Sequence, residues 1–161
     1  MIIGVMADSH DNLPMIRRAV ELFRDEGAGC LIHAGDFVAP FAVKEVLKFD
    51  GRIEACFGNN DGEQAGIRKR LPQVAEPPRA FSIGGQRILL VHDRARATDD
   101  VLRCADVFIF AHDHEPKIQR VSEDGRDRLD VNPGETGGWL SGRSTVAILD
   151  TDGPTARIVE L

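Results

Sequence analysis

Short apolar runs rich in β-branched and large residues recur along this chain, and such runs read as buried strands. The first, near residues 1–7, gives way to a polar loop from Asp8 to Asn12. Asn12 suits an N-cap and Pro14 the first turn of a helix. Leu13, Ile16, Val20 and Phe23 then recur at helical spacing until Gly27 and Gly29 end the helix. A strand near 30–34, a helix near 39–49 carrying Phe41, Val43, Val46, Leu47 and Phe49, and a strand near 52–57 complete a strand–helix–strand–helix–strand half. That order implies parallel pairing.

The second half is richer in strands. A short helix near 64–71 precedes Pro72 and the Pro77-Pro78 break, and Gly84-Gly85 between Phe81-Ser82-Ile83 and residues 87–91 signals a hairpin. A short helix near 98–104 leads to a strand at 106–111. Strands near 117–121, 128–131, 144–150 and 155–160 follow, with turn signals at Glu123-Asp124-Gly125 and Asp152-Gly153. The pattern predicts one α/β (α+β) domain over residues 1–161, with two mixed sheets packed face to face and helices outside.

Five of the runs stop at a residue that can bind a divalent cation. Residues 2–7 deliver Asp8 and His10, residues 30–32 lead to Asp36, residues 53–58 to Asn59, residues 88–91 to His92, and residues 107–111 to His112 and His114. In open α/β sheets, ligands collect outside the carboxyl ends of the strands. Strands lying side by side would therefore gather seven N and O donors on one rim. Carboxylate and imidazole donors without thiolate select Mn, Fe, Co, Ni or Zn over Ca. A pair of such ions can hold a hydroxide and clamp a phosphoryl group for in-line attack, which points to a hydrolase. Two dications, less the Asp8 and Asp36 charges and one hydroxide, leave roughly +1, so the site attracts an anionic substrate. His33 lies inside the second predicted strand and reads as structural.

Bulk composition narrows the partners. The net charge is −6, with 26 acidic against 20 basic residues, so duplex nucleic acid is not expected. The three cysteines, Cys30, Cys56 and Cys104, are odd in number and lack C-x-x-C spacing, which suits a reducing cytoplasm. No apolar stretch approaches the roughly 20 residues that span a bilayer, and no membrane partner is expected. A homo-oligomer is compatible with all of this.

The motif order carries a family resemblance. Asp8-x-His10, Gly35-Asp36, Gly58-Asn59-x-Asp61, His92 and His112-x-His114 resemble the calcineurin-like metallophosphoesterase superfamily, most of all its small prokaryotic phosphodiesterase branch. Asn132-Pro133-Gly134-Glu135 resembles that branch's late glycine loop. The resemblance implies a four-layer α-β-β-α sandwich and a binuclear centre, with manganese the favoured metal. It implies that Asp8, His10, Asp36 and His114 hold one ion, and that Asp36, Asn59, His92 and His112 hold the other, with Asp36 bridging. It further implies hydrolysis of a phosphodiester, in a small-molecule or nucleotide-type substrate, by a bridging hydroxide.

The chain departs from the family pattern in three places. Larger members carry a proton-donating histidine where this chain has Asn60, which leaves Asp61 or solvent to assist the leaving group. His92-Asp93-Arg94 replaces His-Gly-His, which makes Arg94 a candidate phosphate contact. Ala111-His112-Asp113-His114 replaces Gly-His-Thr-His. The retromer subunit of the same superfamily supplies the alternative reading, a protein-docking scaffold, which a large exposed apolar patch would favour.

Overall fold

A computed structural model describes residues 1–123 and 125–161, so Asp124 of the expected turn at residues 123–125 lies outside the described residues. The first sheet has the order β10-β9-β1-β2-β3, from Thr155–Glu160 (β10), Thr145–Asp150 (β9), Ile2–Met6 (β1), Cys30–His33 (β2) and Arg52–Ala55 (β3). β1, β2 and β3 pair in parallel, while β9 joins β1 and β10 antiparallel. The second sheet has the order β4-β5-β6-β8-β7, from Arg79–Ile83 (β4), Gln86–Asp93 (β5), Val107–Ala111 (β6), Arg126–Asn132 (β8) and Lys117–Glu123 (β7). Its central pairs β5·β6 and β6·β8 are parallel and its edges antiparallel, so both sheets are mixed.

Alternation along the strands divides the core into layers. Ile3, Val5, Cys30 and Ile32 from the first sheet meet Ile88, Leu90, Val107 and Ile109 from the second, forming an apolar layer between the sheets. The opposite face of the first sheet, with Met6 and Leu31, packs on helices Leu13–Asp25 (α1), Pro40–Val46 (α2) and Gln64–Arg70 (α3). On the outer face of the second sheet, Leu89, Val91, Phe108 and Phe110 pack with the short helix Asp99–Leu102 (α4) and its neighbours, and Arg94 and Arg128 lie over the phenylalanine rings. The result is an α-β-β-α sandwich with one thick and one thin helical layer.

Helix α1 starts as its sequence predicts. The Asn12 side chain accepts from the Met15 backbone N–H at 3.4 Å, and Pro14 stands in the first turn. Ile16, Ala19, Val20 and Phe23 form the buried stripe. Among the described residues, no helix is long and apolar enough to cross a membrane. β5 runs past its expected end at residue 91 to Asp93, with a register shift against β6 between Leu90 and Asp93. Such an irregularity re-aims a side chain, here that of His92.

Candidate metal centre

The carboxyl ends of β1, β2, β3, β5 and β6 open on one rim, where His92 at the end of β5 and the loops after the other four strands supply all seven predicted donors. Their backbones are unusual. Among the described residues, seven non-glycine residues have positive φ, and five of them are Asp8 (48°), His10 (41°), Asp36 (60°), His112 (79°) and His114 (62°). Left-handed conformations of this kind cost on the order of 1–3 kcal/mol each and persist where the surroundings over-determine them. Two glycines make the closest approach possible: a Cβ on Gly58 would collide with the Asp36 carboxylate, and one on Gly35 would lie 2.7 Å from His92 Nδ1.

Two donor groups result. Asp8, His10 and His114 form one, and Asp8, Asp36 and His92 the other. Asp8 Oδ1 lies 3.5 Å from His114 Nε2 and 3.9 Å from both His10 Nε2 and His92 Nε2. Asp36 Oδ2 lies 3.4 Å from His92 Nε2 and 3.8 Å from His10 Nε2. Both carboxylates therefore lie within 3.9 Å of imidazole nitrogens from each of the two donor groups. His112 belongs to neither group. Its ring sits edge-on to His92 with centroids 5.2 Å apart, and its backbone N–H donates to Asp8 Oδ2 at 3.2 Å.

The hydrogen-bonding pattern fits a cation. His92 Nδ1–H donates to the Ala34 carbonyl at 2.8 Å, so in the neutral ring Nε2 presents a lone pair to the rim. That nitrogen faces Asn59 Oδ1 at 2.9 Å as well as the two carboxylates, an arrangement of acceptors that only a proton or a metal ion reconciles. Asp8 Oδ1 and His10 Nε2 are buried polar atoms without hydrogen-bond partners, while His114 Nδ1, also without one, faces Glu135 Oε2 at 3.5 Å rather than Asp8. Burial pushes the Asp8 carboxyl up to about 7, although His92 opposes the shift. Burial acts the same way on Asp36, but hydrogen bonds from His92 and Asn60 outweigh it and hold that carboxyl far below the usual range. The donor chemistry and the orphaned atoms fit divalent metal.

The chain matches the calcineurin-like phosphoesterase superfamily domain over residues 1–154. It belongs to that superfamily. Among its relatives, phosphodiesterase MJ0936 of Methanocaldococcus jannaschii is 39% identical, over 94% of each chain. Phosphodiesterase YfcE of Escherichia coli K12 is 27% identical, over 91% of this chain and 85% of its own. The solved structure of an archaeal phosphodiesterase superposes with a TM-score of 0.86 at 35% identity, covering both chains fully. Vps29 from Entamoeba histolytica shares the fold, with a TM-score of 0.68 at 17% identity over 100% of this chain and 99% of its own.

Three residues expected to act in catalysis are engaged otherwise. Arg94 is turned away from the rim: its guanidinium pairs with Asp130 at 3.2 Å and lies over the rings of Phe108 and Phe110, on the outer face of the second sheet. Asp61 is 4% exposed, and its carboxylate accepts from the backbone N–H groups of Asp36, Gly58 and Val38 at 3.1, 2.7 and 2.8 Å. It staples the loop after β3 to the loop after β2, and burial raises its carboxyl although these bonds oppose the shift. Asn60 is exposed, and both its backbone N–H and its Nδ2 donate to the Asp36 carboxylate.

Two residues of the surroundings were not among the expected site residues. Glu135 is fully buried; its Oε2 lies 3.5 Å from His114 Nδ1, while its carboxylate accepts from the backbones of Trp139, Leu140 and Ser141. Burial would raise its carboxyl, but these bonds lower it overall. Its place in Asn132-Pro133-Gly134-Glu135 was the available signal. His33 is buried as expected, bonded to Ser9 Oγ at 3.0 Å and stacked on Phe37. The other is Arg96, two residues beyond Arg94.

Proposed function

We propose that this chain is a metal-dependent phosphodiesterase with a binuclear centre on the shared rim. The observation that carries the reading is Asp8 Oδ1, a buried carboxylate oxygen without a hydrogen bond, common to both donor groups. Asp8, His10 and His114 would hold one ion. Asp36, Asn59 and His92 would hold the other, with His112 at its edge. When bound, the ions supply the nucleophilic hydroxide and the positive charge that stabilises phosphorus during in-line displacement.

The chain's own residues do the rest. Ala34 fixes the His92 tautomer through Nδ1, leaving Nε2 free to donate its lone pair. Glu135 orients His114 from behind and ties it to the Trp139–Ser141 backbone. Asn60 and Asp61 hold Asp36 and its loop, so departure of the alkoxide relies on the acidity of its parent alcohol or on a proton from solvent. Trp139 and Leu140, 65% and 81% exposed beside these loops, are the feature that favours the docking-scaffold alternative. The complete donor set favours the enzyme.

The test is a panel of phosphodiesters and phosphomonoesters with metal-free protein, to which Mn, Co, Ni, Fe or Zn is returned. Hydrolysis of diesters that depends on returned metal is the expected result. Equal diester hydrolysis before and after metal removal would refute the reading.

A further inference from the structure

Beside the donor rim lies a groove of about 360 Å³, lined on one wall by Asn59, His92 and His112. Arg96 stands in the same lining, as the one lysine or arginine among these lining residues. Its position follows from the local chain. Residues Arg94–Arg96 form a single 3-10 turn, started by Asp93, whose side chain accepts from the Ala95 N–H at 2.8 Å. At three residues per turn, positions two apart point about 120° from each other. Asp130, Phe108 and Phe110 take Arg94 to the outside of the sheet. The same turn leaves Arg96 over the groove.

We propose that Arg96 binds the phosphoryl group of the substrate, an assignment that rests on the phosphodiesterase reading of the adjoining rim. Arg96 is exposed, and among the described residues no hydrogen-bond or ion-pair partner engages it. The two carboxylates on the groove have partners of their own: Glu76 pairs with Arg68 at 3.8 Å, and Asp93 accepts from the Ala95 N–H at 2.8 Å. A guanidinium is always charged, and its fork matches two oxygens of one phosphate. Phosphate fits the groove with room for an ester arm. In a protein of net charge −6, a free arginine beside the donor rim also draws an anion toward it.

The experiment uses full-length protein loaded with Mn and phenyl phosphate as the probe, with the dissociation constant measured by calorimetry and metal content measured on the same samples. Arg96→Ala should weaken phenyl phosphate binding about tenfold at unchanged metal content, and Arg96→Lys should fall between it and the parent. With an aryl diester substrate, Arg96→Ala should raise KM more than it lowers kcat, as expected for loss of binding shared by ground and transition states. Arg94→Ala is the control: it should lower Tm but leave the phenyl phosphate constant in place. An Arg96→Ala protein that binds the probe as tightly as the parent would overturn the assignment, as would one that loses its metal. If parent protein binds Mn and binds phenyl phosphate through Arg96, yet hydrolyses no diester, the assignment stands and the phosphodiesterase reading fails.

Discussion

Asn60 holds Asp36 twice: its backbone N–H donates to Oδ1 at 2.8 Å, and its side-chain Nδ2 donates to Oδ2 at 2.8 Å. Both lone-pair faces of the carboxylate are thereby oriented. Residues that orient metal-binding groups commonly contribute 10–100-fold to metal affinity. Asn60→Ala should therefore weaken Mn binding about tenfold or more, measured by metal titration of stripped protein. Affinity equal to the parent's would show that Asp36 needs no such grip.

The same bonds bear on leaving-group chemistry. Asn60 cannot release a proton readily, and Asp61 is committed to three backbone N–H groups. A positioned general acid contributes about 10²–10⁴-fold, mostly for poor leaving groups. Rates should thus fall steeply as leaving-group pKa rises, with aryl diesters far ahead of alkyl ones. A leaving-group series at fixed pH and metal concentration checks this. A flat series would reveal another proton donor, or a slow step that is not the chemistry.

Metal binding should take up pH dependence from Asp8. Without metal, burial holds this carboxyl protonated up to about 7. His92 is pushed down by burial but raised overall by Asp36, so it too tends to keep its proton. A metal ligand must be deprotonated, so binding expels these protons. Affinity should rise with pH up to about 7, by about tenfold per unit from Asp8 alone, and level off above. Calorimetry in buffers of different ionisation enthalpy would count the protons. Binding below pH 7 without proton release would contradict the placement of Asp8.

The strand ends were legible because buried strands and their exits have a short-range signature. Runs of β-branched residues stop where Asp8, Asn59 and His112 begin, and the helical stripe of α1 is local in the sequence. Arg94 and Asp61 were not legible in the same way. Which side of a 3-10 turn Arg94 takes depends on Asp130, 36 residues on, and on two phenylalanines of another strand. Asp61 reads as a turn residue or an acid until its partners at Asp36 and Val38, from the preceding loop, are known. The sharing of Asp8 between donor groups likewise depends on how β1 and β6 meet across the two sheets, which no local pattern encodes.

His33 makes stability fall in acid. Burial lowers its pKa from 6.5 to about 3. Below pH 6.5 the unfolded chain takes up a proton that the folded chain refuses until about pH 3, so stability present at neutral pH is lost as pH falls through that window. The slope approaches about 1.4 kcal/mol per pH unit for one full proton. In metal-free protein Asp8 acts oppositely between about pH 4 and 7, because its raised carboxyl binds a proton in the folded state first. Comparison with His33→Gln separates the two. The variant should lose less stability than the parent between pH 6.5 and 4.5 in urea titrations, and parallel curves would show that His33 titrates freely.

Asp61 offers the plainest test of a structural role. Its carboxylate satisfies three backbone N–H groups that tie together the loops carrying Asp36 and Asn59. Asp61→Asn keeps the shape but turns one acceptor into an NH₂ group facing N–H donors. Leaving a buried donor unsatisfied costs about 1–3 kcal/mol. The variant should therefore unfold at lower temperature, with a loss in that range by urea titration, and it should bind Mn more weakly because Asp36 is displaced. If Asp61 were instead the proton donor, Asp61→Asn would keep its stability and metal affinity and lose rate selectively on alkyl diesters. Measuring stability, Mn affinity and the aryl-to-alkyl rate ratio on one preparation distinguishes the staple from the acid.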